Sequence, residues 1–212
     1  MRRRIRSSEI PPKLTFYSGG LNLGIFYPGP PVGNEGSELL GNPLTGKAKF
    51  YKSISNGLGN KRHAWLLIVA PTDIINFQFR LTTMGIGTTK VSNYDGYYNK
   101  SNSKSFVYNN IKKYKRGNYN DWYIPSRDEL AFMAKNIPLQ FDLGMRFHQM
   151  NPVKYASSTY AEQNIRSEKT GKKLSLIYAQ SFDEPTYGDT LLVSDTRPMS
   201  VRLVRRIPFY II

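Results

Sequence analysis

The chain has 212 residues, no cysteine, and 30 Lys plus Arg against 15 Asp plus Glu, a formal charge of +15. That length suits one domain, or one domain with an arm, and the missing cysteine excludes disulfides, thiolate metal sites and thiol nucleophiles. The positive charge calls for an anionic partner, whether an acidic protein surface, an acidic or sulfated glycan or nucleic acid, and no apolar run approaches the roughly 18 residues of a membrane span.

Residues 1–14 read as an extended basic arm. Arg2, Arg3, Arg4 and Arg6 crowd its start and Pro11-Pro12 favour polyproline geometry over a packed element. No hydrophobic stretch follows the arginines, so the segment does not read as a secretory signal. Four guanidinium groups are suited to bidentate contacts with carboxylates or phosphates, which makes them the candidate partner-docking residues. A solvated tail is the competing reading of the same composition.

From Thr15 to Tyr27 the pattern predicts one strand containing glycines, ended by the turn-rich Pro28-Gly29-Pro30-Pro31. Gly41 to Lys47 spaces two glycines before a lysine as a phosphate loop does, but Ala48 stands where the hydroxyl residue belongs and no amphipathic helix follows. Phe50, Ile54 and Leu58 read as strand or loop anchors. Trp65 to Ala70 is a continuous apolar run before Pro71, the signature of a central strand buried on both faces. Thr72-Asp73 is expected to begin a turn or short helix by side-chain capping.

Residues 96–120 contain no acid but carry Lys112, Lys113, Lys115 and Arg116 among Tyr97, Tyr98, Tyr108, Tyr114 and Tyr119. Two readings compete. Lys112, Lys113, Tyr114, Lys115, Arg116 and Tyr119 form a candidate ligand-binding set, in which rings stack on sugars or bases while cations neutralise anions. Alternatively a helix over Ser103–Lys115 buries Phe106, Val107, Ile111 and Tyr114 and merely solvates its lysines.

Ser126 followed three residues later by Glu129 is a capping box, so a helix begins at Arg127. Leu130, Met133, Ala134 and Ile137 then form one apolar face, and Pro138 ends the helix near Asn136. Trp122 and Ile124, two apart, share one face of an extended segment. Further on, Tyr155–Tyr160 and Leu174 to Phe182 read as strands with a turn at Gly171-Lys172. Phe182 to Asp189 reads as a polar hairpin loop, because the oxygen ligands of a calcium site are not completed on a following strand. A last strand over Val201–Ile207 carries Arg202, Arg205 and Arg206, which pair with buried carboxylates or form a basic stripe. His63 and His148 lie far apart, and Ser157-Ser158 occupies no nucleophile elbow. Neither catalysis, a metal nor a cofactor is expected.

Asp121-Trp122-Tyr123-Ile124-Pro125-Ser126-Arg127-Asp128-Glu129-Leu130 resembles the "DWRLPTxxEL" signature of the collagen-like-adhesin C-terminal domain family, a bacterial and phage domain. Gly19-Gly20-Leu21 with Gly24-Ile25-Phe26-Tyr27 is similar to its opening strand, and Leu67-Ile68-Val69-Ala70-Pro71-Thr72-Asp73 to its "GLIVAPxD" strand. Gly85 to Lys90, Tyr155-Ala156-Ser157-Ser158-Thr159 and Val201-Arg202-Leu203-Val204-Arg205-Arg206 resemble further landmarks, in order, across residues 17–207. Ala156 replaces the family's usual aromatic, and Thr89 a glycine.

The resemblance implies an α+β, C-type-lectin-like fold: mixed and antiparallel sheets, one or two short helices, long loops, and pairing of the first and last strands. Fold alone carries no function. With no export signal and no catalytic set, the resemblance points to a bacteriophage virion structural protein, capsid-associated or part of the neck, tail or fibre. Residues 15–212 would form its single lectin-like domain. Its expected partners are acidic surfaces of other virion proteins, further copies of itself and host glycan, with nucleic acid a weaker option. The alternative is a carbohydrate-binding module for anionic cell-surface glycans.

Overall fold

The computed structural model describes residues 10–26, 64–77, 79, 96–97, 99, 111, 114–115, 118–137, 154–160, 171, 176–182, 189–194 and 197–209. Seven strands run in chain order: β1 (Phe16–Tyr17), β2 (Gly20–Phe26), β3 (Ala64–Phe77), β4 (Lys154–Tyr160), β5 (Leu176–Ser181), β6 (Thr190–Ser194) and β7 (Met199–Phe209). Helix α1 (Arg127–Asn136) lies between β3 and β4 in sequence. The strands form one sheet in the order β1-β2-β3-β7-β4-β5-β6. Among the described strands only the β4–β7 contact is parallel, so the sheet is mixed and the class is α+β.

The apolar run of β3 organises both cores. Trp65, Leu67 and Val69 join one cluster, with Leu21, Leu23, Tyr123 and the α1 residues Leu130 and Met133. Leu66, Ile68 and Ala70 point the other way, into a second cluster with Trp122, Ile124, Ile177, Val201 and Leu203. Alternation at period two therefore buries both faces, as the unbroken run predicts. Each such side chain contributes about 1.5–3 kcal/mol on burial.

α1 begins and ends where its sequence signals lie. The Ser126 side chain accepts from the Glu129 N–H, and the Glu129 carboxylate accepts from the Ser126 N–H at 2.8 Å, closing the capping box. Its apolar face, Leu130, Met133, Ala134 and Ile137, is buried. Ile137, preceding Pro138, is already extended, the geometry a following proline imposes.

Three expectations are corrected. The stretch from Thr15 to Tyr27 is a hairpin and not one strand: Ser18 (φ 53°) and Gly19 (φ 89°) both take the left-handed conformation of a two-residue turn, reversing β1 onto β2. Thr72-Asp73 starts no turn, because β3 continues to Phe77; the pairing with β7 shifts register between Val69 and Asp73, which accommodates Pro71 within the ladder. Finally, β7 pairs with β3 and β4, so the first and last strands are not neighbours. β5 and β6 are antiparallel neighbours, as a hairpin loop between them requires, although β6 itself carries too short a pattern to be read beforehand.

Candidate functional site

Three polar clusters knit the fold together, each built on an acid from a motif singled out above. In the first, Arg202 on β7 ion-pairs through Nε with Asp73 on β3 and donates from a terminal nitrogen to the Ala70 carbonyl at 3.0 Å. Tyr155 on β4 donates its hydroxyl proton to the other Asp73 oxygen at 2.8 Å. The cluster thus bolts β3, β7 and β4 together around the parallel β4–β7 junction. Burial, reinforced by the nearby Asp73 charge, pushes the Tyr155 phenol far above its ordinary range, so its hydroxyl is a permanent donor. Arg202 is 1% exposed, and a buried ion pair of this kind tolerates removal of neither partner.

Arg205, also on β7, is held in a fork. Nε and a terminal nitrogen reach the two Asp121 oxygens at 2.8 and 3.2 Å, while its other terminal nitrogen donates to the Ser18 carbonyl and hydroxyl at 2.9 and 2.6 Å. Tyr119 stacks on the guanidinium, 3.7 Å from its ring centroid. Bidentate geometry and stacking are what distinguish arginine from lysine here. Neighbouring Arg206 lies 4.0 Å from the Tyr97 ring centroid and 5.0 Å from that of Trp65.

The third cluster centres on Glu129, which is fully buried. Besides the Ser126 N–H, its carboxylate accepts from the Tyr123 hydroxyl at 2.7 Å and the Gly96 N–H at 3.0 Å. Close by, Asn99 donates to the Ser158 hydroxyl at 2.9 Å, and that hydroxyl donates to the Pro125 carbonyl at 3.1 Å. Gly96 and Asn99 thereby dock the start of the basic, tyrosine-rich segment onto the turn before α1.

The candidate ligand-binding residues divide. Lys112, Lys113 and Arg116 lie outside the described residues, as do the arm arginines Arg2, Arg3, Arg4 and Arg6. Tyr114 is half-buried, edge-on to Trp122 with centroids 5.9 Å apart, and its hydroxyl is 3.3 Å from that of Thr72. The Tyr114 N–H bonds the carbonyl of helical, buried Ile111, but Tyr114 and Lys115 are not themselves helical, so no helix runs through Lys115. Tyr119 spends one ring face on Arg205, and Lys115 is exposed. Both described tyrosines therefore have intramolecular work, consistent with core spacing, while the described cation faces solvent.

His63, His148, the glycine–lysine loop and Asp183 to Thr186 also lie outside the described residues. Among the described residues no three His, Asp or Glu side chains group as metal ligands, and no helix is long and apolar enough to cross a membrane. Of the two readings of the last strand's arginines, Arg202 and Arg205 follow the carboxylate-pairing one, though Asp121 is 40% exposed, and neither Asp73 nor Asp121 carries a local mark of which arginine it would meet. No protein-family model, curated protein or solved structure matches this chain.

Proposed function

We propose that this chain is a structural protein of a tailed-bacteriophage virion, a non-catalytic, lectin-like domain of the collagen-like-adhesin C-terminal type that docks through its arginine-rich arm. The observation that carries the reading is where the acids go. Of the described acids Asp73, Asp121, Asp128, Glu129 and Asp189, the first four are engaged within the chain by Arg202, Arg205, Arg127 and the α1 capping network. Four of the five described acids thus have partners within the chain, and the chain as a whole carries a net +15 that suits an acidic partner surface.

The root of the arm supports the same reading. Buried Asn22 donates to the Pro11 and Pro12 carbonyls at 2.8 and 3.1 Å, and the Leu14 N–H bonds the Asn22 carbonyl at 2.7 Å. Ile10 and Leu14 pack against the two cores. Residues 10–14 are therefore fixed beside β2, which supports a docking role for the segment that precedes them. Mass spectrometry of purified particles tests the proposal: the chain should be present, and deletion of residues 2–9 should remove it from particles. Absence from particles refutes the reading.

A second reading, binding of anionic glycan by the 112–119 segment, is favoured by exposed Lys115 on a stretch that Tyr114 and Tyr119 tie to the body. Replacing Lys112, Lys113, Lys115 and Arg116 together by alanine should weaken salt-sensitive binding to sulfated polysaccharide. Unchanged binding would reject it.

A further inference from the structure

Among the described residues three large hydrophobic side chains are exposed: Phe16 at 69%, Ile75 at 53% and Leu192 at 39%. Isolated apolar residues on a surface are ordinary, so exposure by itself assigns nothing. Phe16 differs in its setting. It directly follows the root of the basic arm, and the backbone leading into it is held by hydrogen bonds.

The Asn22 N–H donates to the Thr15 carbonyl at 2.9 Å, and the Thr15 hydroxyl donates to the Pro12 carbonyl at 2.7 Å. Lys13 reaches across Gly24, where an added Cβ would stand 2.7 Å from its Cε, and donates from Nζ to the Asn136 side chain of α1 at 3.1 Å. Phe16 itself sits opposite Leu21 in the ladder, while Tyr17 turns to the second core. The exposed residues Pro12, Lys13, Thr15 and Phe16 thus form a strip of fixed shape. As an edge for strand addition it is blunted: β1 has two residues, and Leu14 in the left-handed conformation (φ 59°) and Pro11-Pro12 precede it. It offers a partner a ring and not a ladder.

We infer, resting on the virion reading above, that Phe16 is the apolar anchor of the docking surface and that its occupant is an acidic protein surface with a pocket for the ring. Charge selects the occupant. Residues 1–16 hold five cations, Arg2, Arg3, Arg4, Arg6 and Lys13, against Glu9 alone. A second copy would bring the same excess to the same place and be repelled. A lipid surface requires a whole apolar face, and here one ring stands alone. Arginine with a rigid aromatic ring is the composition of a protein–protein contact, the ring desolvated at its centre and the charges around it. The arm arginines all lie within eight residues of Ile10, so they reach no further than about 30 Å from the fixed root. A partner that holds them therefore lies against this part of the molecule.

The test uses phage from which the gene is deleted, with full-length variants supplied in trans and counted in purified particles by mass spectrometry. Phe16→Ala, at an exposed position, should keep the wild-type melting temperature and yet fall at least about tenfold in occupancy when coexpressed with wild type. Phe16→Leu should retain most of the occupancy, whereas Phe16→Lys, which adds a cation, should lose as much as alanine. Leu192→Ser, on the strand at the other end of the sheet, should match wild type. Equal occupancy of Phe16→Ala and wild type overturns the inference and leaves the virion reading standing. A wild type missing from particles overturns both. Sedimentation and heparin or oligonucleotide titration of the purified proteins separate the other occupants: if Phe16→Ala abolishes a self-association of the wild type, the ring meets a second copy, and if it abolishes polyanion binding, the ring stacks on sugars or bases. Either result also overturns the inference.

Discussion

Glu129 should be the costliest single acid to remove from α1, and the size of the loss can be worked from its contacts. Glu129→Ala leaves the Ser126 N–H, the Gly96 N–H and the Tyr123 hydroxyl without the carboxylate they now share. A buried donor left unsatisfied costs about 1–3 kcal/mol, and some relaxation is expected, so the total should be about 3–5 kcal/mol. For a chain of this size that lowers the melting temperature by roughly 8–15 °C. Glu129→Gln is the discriminating control. Its carbonyl oxygen can take the place of the oxygen that accepts both backbone N–H groups, and its amide can donate to the Tyr123 oxygen, so only charge assistance is lost, about 1–1.5 kcal/mol. Urea unfolding followed by circular dichroism reads both values. If alanine costs less than about 1 kcal/mol, or glutamine costs as much as alanine, the carboxylate is not the hub described.

Three further outcomes are expected. Gly96→Ala puts a methyl group 2.7 Å from the Ser126 nitrogen and 2.8 Å from a Glu129 oxygen, and closer still to the Ile124 carbonyl, so it should cost about 2–3 kcal/mol in urea and alter the near-ultraviolet signal of Tyr97 against Tyr123. Tyr155 keeps its proton in the folded protein at pH values where the unfolded chain has released it, so stability should fall as pH rises above the phenol's ordinary 10.0; Tyr155→Phe should flatten that alkaline slope in unfolding measured between about pH 9 and 11. Asn22→Ala removes the donor to Pro11 and Pro12 and the acceptor for the Gly24 N–H, so trypsin should cut after Lys13 several-fold faster; an unchanged rate would mean that the arm root is held by Ile10 and Leu14 alone.

Much of α1 was legible because its signals are local. A hydroxyl and a carboxylate three residues apart, an apolar face at helical spacing and a proline after the last turn act within a dozen residues, and the observed helix obeys all of them. The burial of β3 on both faces was legible for the same reason: an unbroken apolar run leaves no side for water. The clusters formed by Asp73 and Asp121 were not legible. Arg202 lies 129 positions from Asp73, and Arg205 lies 84 from Asp121, so each choice of partner depends on strand order and not on spacing.

Sequence by itself therefore determined the elements whose causes are short-range: the capped helix, the central strand, the arginine-bearing last strand and the excess of positive charge. Tertiary structure alone decided that β3 runs on past Pro71, because its register with β7 absorbs the proline. It alone made a hairpin of β1 and β2, where Ser18 accepts a left-handed conformation that its residue type does not announce and lends two oxygens to Arg205. The edge at β6 belongs to the same category. A run of five uncharged residues has no fixed meaning until the described sheet places it last, beside β5.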